Sequence, residues 1–247
     1  MKKTLILLFL SFMTLGAFAQ KDFYELRVYT MKRGGPASGL HNYLEKALMP
    51  ALNKEGVKNI GVFEEFGMSQ PAKFYLLIPY ASMSGYEAVY AKLKTDKTFI
   101  NASKEYNQLS QEAFPYERVE VSHFIAFNGI PKLVKPVSGS MLFELRTYES
   151  YGEDAARRKR KMFNDGELEI FEKTGLHSVF FGEKIAGAQM PALTYMLAFE
   201  NMDERDANWA KFIANPDWKV ISGLDEYANS VSDIKRVFLK PLSYSQL

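Results

Sequence analysis

The 247-residue sequence predicts an α+β fold in which one unit of strands and helices is written twice. Three observations carry this. First, Tyr24-Glu25-Leu26-Arg27-Val28-Tyr29 returns as Phe143-Glu144-Leu145-Arg146-Thr147-Tyr148. The correspondence continues at nearly constant spacing through Tyr75-Leu76-Leu77 and Tyr195-Met196-Leu197, then Tyr90-Ala91-Lys92-Leu93 and Trp209-Ala210-Lys211-Phe212. A single repetition of this length is a duplicated domain and not a solenoid. Second, each copy alternates strand-like and helix-like periodicity in the order β-α-β-β-α-β. Third, residues 129–140 are rich in Gly, Pro and Ser and read as a linker, leaving domains at 20–128 and 141–247.

The elements follow in order. Met1-Lys2-Lys3, an apolar run over 5–15 and Ala17-Phe18-Ala19 read as a signal peptide cleaved before Gln20. The apolar run is short for a bilayer span, which takes about 20 residues. In the first strand Tyr24, Leu26 and Val28 share one face and Glu25, Arg27 and Tyr29 the other. The first helix carries Leu40, Tyr43, Leu44, Ala47, Leu48 and Ala51 at helical spacing and stops near Gly56, suited to a left-handed cap. Residues 60–66 and 74–80 are β-rich, with a turn near Met68 to Pro71. A helical stretch over 84–111, broken near Thr95 to Thr98, and a strand over 118–127 complete the copy. The second copy repeats the order, with Asp203 expected to cap the helix that carries Trp209.

This order is the ferredoxin-like split βαβ. Its sheet is covered by helices on one face only, and an aromatic-rich open face must be buried. Two tandem ferredoxin-like units are therefore expected to pack as an intramolecular dimeric α/β-barrel, sheet facing sheet.

Composition removes several functions. The chain has no Cys, so it has no disulfide, thiolate metal site or thiol nucleophile. Without Lys2 and Lys3 the 31 basic residues fall to match the 29 acidic ones, and a neutral chain argues against nucleic acid or membrane surfaces as partners. No stable membrane anchor is expected after cleavage. The three histidines lack ligand spacing, so no metal is expected, and no nucleotide or nucleophile fingerprint implies a cofactor.

The chain resembles the NIPSNAP family, within the dimeric α/β-barrel group, over both copies. The paired Glu-Leu-Arg-x-Tyr openings carry the resemblance. So do Asp203-Glu204-Arg205 with Asn215-Pro216-Asp217-Trp218, and the closing Phe238-Leu239-Lys240-Pro241-Leu242-Ser243-Tyr244-Ser245. The first copy departs at Asp96-Lys97-Thr98-Phe99 and lacks the matching Arg, which makes the second copy the better candidate for a site. The resemblance implies the fold; family members are associated with scaffolding roles.

The candidate ligand residues are Glu25, Arg27, Tyr29, Glu144, Arg146 and Tyr148. If helices cover the apolar face, these converge between the sheets. There they either form a buried network fixing the register of the halves or anchor a small carboxylate, which suits the Arg fork. Lys159 falls in the apolar stripe of its helix and is read as snorkelling or as a pocket lysine. His177 is a candidate acid or base, and Trp209 and Trp218 are core residues or a platform for a ring ligand. The catalytic residues, if any, are unknown. The functional expectation is an exported protein that binds a small molecule between its sheets or acts as an interaction scaffold, with homo-oligomers compatible. The alternative is a cofactor-independent enzyme of the monooxygenase or isomerase kind.

Overall fold

In the computed structural model, residues 20–67 and 69–247 are described. The expected signal peptide and Met68 of the expected hairpin turn lie outside the described residues. The first copy runs β1 (Phe23–Met31), α1 (Ser38–Tyr43), a π-type segment (Leu44–Leu48), α2 (Met49–Lys54), β2 (Gly61–Glu65), β3 (Lys73–Tyr80), α3 (Met83–Leu93), α4 (Lys97–Ala102), α5 (Lys104–Asn107) and β4 (Tyr116–Ala126). The second runs β5 (Leu142–Glu149), α6 (Glu153–Met162), a π-type segment (Phe163–Glu167), α7 (Leu168–Thr174), β6 (His177–Ala186), β7 (Ala192–Phe199), α8 (Met202–Ala214), α9 (Pro216–Ser222), a short 3-10 turn (Asp225–Tyr227) and β8 (Asp233–Pro241).

The strands close into one barrel in the order β1-β3-β2-β8-β5-β7-β6-β4. Each copy contributes four antiparallel strands, and the edges of one copy pair with the edges of the other. Glu64 lies opposite Lys240 at the β2–β8 seam, and Ala126 opposite Gly182 at the β4–β6 seam. Closure satisfies the backbone groups that a four-stranded sheet would leave open at its edges.

Local chemistry sets the element ends. Gly56 and Gly175, at φ +86° and +78°, stop the helices begun by α1 and α6. The break between α3 and α4 is made by Asp96, whose carboxylate accepts from the Thr98 and Phe99 amides at 2.8 and 3.4 Å. Asn215 does the same for Asp217 and Trp218 at 2.8 and 3.3 Å, so the two divergent segments perform one capping task. The cap of α8 is Asn201, which accepts from Glu204 N at 3.0 Å, and not Asp203. Asp203 lies in the first turn, where its charge complements the helix dipole.

Three apolar clusters form. One fills the barrel with Tyr24, Leu26, Phe63 and Phe124 from the first copy and Phe143, Leu145, Phe180 and Met196 from the second. The other two lie between each sheet and its helices. The orientation expected for the Glu-x-Arg-x-Tyr strands is thereby reversed. Tyr24 and Leu26 point into the barrel, while Glu25, Arg27 and Tyr29 point toward the helices, as do their counterparts in β5. The reason is partner supply, because the donors that satisfy both glutamates come from Tyr90 on α3 and from Arg205 and Trp209 on α8.

Candidate functional site

In the second copy Glu144 is fully partnered and Arg146 lies under a ring. Arg146 Nε donates to Glu144 Oε1 at 2.7 Å and Nη1 to the Tyr148 hydroxyl at 3.4 Å. Arg205 donates to both Glu144 oxygens at 3.0 Å, and Trp209 Nε1 to Oε2 at 2.8 Å. Burial raises the Glu144 pKa, but the Arg205 hydrogen bonds and the Arg146 charge outweigh it and hold the carboxyl below the usual range. Trp209 covers Arg146, its ring centroid 3.7 Å from the guanidinium carbon.

Lys159 does not snorkel. It is buried, donates to Glu167 at 2.7 Å and lies 4.4 Å from the Phe163 ring centroid. The π-type segment brings Glu167 back beside α6, which gives the ammonium an internal partner. Burial pushes the Glu167 carboxyl above the usual range.

In the first copy the same strand motif meets smaller neighbours. Arg27 Nε donates to Glu25 Oε1 at 2.7 Å, Nη1 to the Tyr29 hydroxyl at 3.4 Å, and Nη2 to the Tyr90 hydroxyl. Tyr80 and Tyr90 each donate to Glu25 Oε2 at 3.0 Å. Leu40 and Leu48 stand where the second copy has Lys159 and Glu167, and Tyr86 and Tyr90 where it has Arg205 and Trp209. The result is a cavity of about 250 Å³ walled by Arg27, Tyr29, Tyr43, Tyr86, Tyr90 and Tyr106, with Tyr116, Val119 and Val121 toward one side. Val119 and Val121, on β4, are 38% and 40% exposed, so no helix among the described residues covers this side of the cavity.

The chemistry of this cavity is donor-rich. A guanidinium has five N–H groups, and one on each of Nη1 and Nη2 has no partner among the described residues. Its charge is secure, since the Tyr29 hydroxyl and the Glu25 charge outweigh the effect of burial and raise the Arg27 pKa. Burial raises the Tyr29 hydroxyl and pushes Tyr43 up to about 12, so both are neutral near neutral pH. The Tyr43 and Tyr106 rings stack at 4.1 Å and 11°. The carboxylate of the set, Glu25, is 3% exposed and occupied by three donors.

The open cavity thus lies in the first copy, whereas the sequence pointed to the second. Its counterpart space is filled by Trp209, the Lys159–Glu167 pair and the Tyr148–Tyr195 hydroxyl contact at 2.9 Å. Trp218 packs on Phe212 at 4.4 Å and does not line the first-copy cavity. His177 opens β6, is exposed and lies 3.8 Å from Glu204, beside a cleft of about 700 Å³ formed by the linker and α7. Among the described residues no group of three His, Cys, Asp or Glu could hold a metal ion. No helix among them is long and apolar enough to cross a membrane.

Sequence reasoning missed Tyr86, Tyr90, Tyr106 and Tyr116. A signal for Tyr90 existed in its correspondence to Trp209, and Tyr43 was legible as part of a helical stripe but read as core. Behind the site, the His123 ring lies 5.1 Å from Tyr86, and its buried Nε2 has no partner among the described residues.

The NIPSNAP family model matches residues 24–115 and 143–246. Among solved structures, a candidate monooxygenase from Lactobacillus acidophilus NCFM aligns at 11% identity and TM-score 0.59, covering 90% of this chain and 94% of its own. Another candidate monooxygenase, from Fusobacterium nucleatum subsp. nucleatum, aligns at 12% identity and TM-score 0.58, over 90% and 93%. A mutant chlorite dismutase from Candidatus Nitrospira defluvii aligns at 6% identity and TM-score 0.51, over 90% and 92%. At these identities the likeness is one of fold. No match was found among curated proteins.

Proposed function

As the chain belongs to the NIPSNAP family, we propose that its first copy is a receptor for a small ring carboxylate, held by Arg27 and enclosed by the surrounding tyrosines. The observation that carries this reading is the unequal fate of one duplicated motif. In the second copy Trp209 lies over the guanidinium, whereas in the first the corresponding guanidinium lines a cavity open at β4. Arg suits a carboxylate through its planar fork, and the aromatic walls suit a ring. Glu25 turns no free lone pair to the cavity, since its oxygens already accept from Arg27, Tyr80 and Tyr90, and its charge is offset by the paired Arg27. This reading puts the ligand between sheet and helices, and the packing of the barrel interior with apolar side chains supports that choice.

A calorimetric titration with benzoate and 4-hydroxybenzoate tests this. Wild type should bind, and Arg27→Met should bind at least tenfold more weakly. Equal binding by the two proteins would remove Arg27 from the site. A turnover assay on any bound compound separates this receptor from the alternative, a cofactor-independent enzyme.

Export is the second part of the proposal, supported by the basic start, the apolar run and Ala17-Phe18-Ala19. The mass of protein recovered outside the cytoplasm should correspond to a chain starting at Gln20. Recovery of a chain that keeps Met1 would refute the cleavage.

A further inference from the structure

The tyrosine cavity has a neighbour. Tyr116 also lines a second cavity, of about 500 Å³, with Lys32, Gln111, Phe114, Glu117 and Arg118. The Tyr116 ring lies 5.0 Å from Tyr29 on one side and 5.1 Å from Phe114 on the other. Lys32 follows directly on β1 and donates to the backbone carbonyls of Gln111 and, at 3.3 Å, Glu112. Those carbonyls hold the ammonium in place without cancelling its charge, and a third N–H remains. Arg118 Nη1 likewise donates to a backbone carbonyl, that of Glu117, at 2.6 Å. Two cations thus line this cavity against one carboxylate, Glu117.

The second copy reverses this pattern. The residue corresponding to Lys32 is Tyr151, which is 70% exposed. Thr30 lies opposite Arg118 across β1 and β4, and at the same place in β5 and β8 Glu149 lies opposite Asp233. In the second copy the cations near these positions are already engaged, Arg158 with Tyr151 and Asp154 and Lys235 with Glu149.

We propose that the ligand of the first copy carries two anionic ends, one on Arg27 and the other on Lys32 and Arg118, joined by an apolar or aromatic body that passes Tyr116. This rests on the reading of the tyrosine cavity as a carboxylate receptor and specifies its ligand class as an elongated dianion. The backbone spacing bounds the reach. Arg27 and Lys32 are five residues apart, or roughly 16 Å between Cα atoms for a fully extended chain, and the irregularity between Thr30 and Met31 breaks the alternation that would otherwise send the two side chains to opposite faces.

Biphenyl-4,4'-dicarboxylate, biphenyl-4-carboxylate and benzoate are the probes, titrated by calorimetry at low ionic strength into the full chain. The diacid should bind at least tenfold more tightly than the biphenyl monoacid. Lys32→Met combined with Arg118→Met should bring the diacid to the monoacid level and leave benzoate unchanged. Arg27→Met should weaken all three. Both Lys32 and Arg118 reach solvent, and thermal melts check that their variants fold. Equal affinity of diacid and monoacid, or a double variant that weakens benzoate as much as the diacid, would overturn the two-ended ligand and leave the Arg27 receptor standing. Failure of all three probes to bind wild type would overturn both.

Discussion

The Arg146 guanidinium and the Trp209 ring are stacked at 3.7 Å, and Trp209 at the same time donates its indole N–H to the glutamate that pairs with Arg146. In the first copy Arg27 lies 5.7 Å from the Tyr90 ring centroid, and the phenol reaches the glutamate with its hydroxyl instead. One pair of positions thus sets whether the space above the arginine is filled.

Exchanging that residue should close the open site. Tyr90→Trp is expected to lay an indole over Arg27 and donate to Glu25, as Trp209 does to Glu144. Benzoate binding should fall at least tenfold with the melting temperature changed by only a few degrees, since a volume-increasing change at the edge of a cavity meets little packed matter. A variant that still binds benzoate at wild-type affinity would place the ligand elsewhere.

Arg146→Met should act on stability alone. Removing one member of a buried charged set typically costs about 3–5 kcal/mol, and because Arg205 and Trp209 still serve Glu144, the low end is expected. Urea unfolding measures the loss. Titration with benzoate well below the midpoint should show unchanged affinity, and an affinity that falls along with stability would bring the second copy back as a ligand site.

The Lys159–Glu167 pair should be replaceable by what the first copy already uses. The double change Lys159→Leu with Glu167→Leu copies Leu40 and Leu48 and is expected to be neutral or stabilising by up to about 1–4 kcal/mol. Lys159→Leu alone strands the carboxyl. Because the folded pKa of Glu167 is raised, the folded chain binds the proton more tightly than the unfolded one. Its contribution is fully present below the usual glutamate range and is lost as pH rises through the folded value. Without the lysine this loss should deepen, so the single variant should lag wild type far more at about pH 8 than at about pH 4.5. A pH-independent gap in urea midpoints would count against that account.

Glu144 has the opposite sign. Its folded pKa is lowered, so its contribution is present above the usual glutamate range and is lost as pH falls through the folded value. Glu144→Gln should therefore reduce stability near neutral pH and differ less from wild type in acid, in the same urea measurement.

A chain of residues 20–130 expressed alone should be insoluble or dimeric. It would expose the inward faces of Tyr24, Leu26, Phe63 and Phe124 and leave β2 and β4 without β8 and β6. Light scattering decides, and a soluble monomer would contradict the role of the seams.

Much of this molecule was legible in the sequence. The returning Glu-Leu-Arg-x-Tyr motif revealed the duplication, and the element order implied two ferredoxin-like units that needed each other. The alternation in the first strand separated Tyr24 and Leu26 from Glu25, Arg27 and Tyr29. It could not say which set faced the barrel, because both faces of each sheet are buried and period-two patterning is the same from either side. Only the tertiary structure decided that, by bringing the donors of α3 and α8 to one face and aromatic rings from both copies to the other. It also decided which copy is open. A cavity is the volume left over when side chains from distant segments have packed, and the bulk of Trp209, Lys159 and Glu167 against that of Tyr90, Leu40 and Leu48 becomes a difference in space only once the helices lie on the sheet.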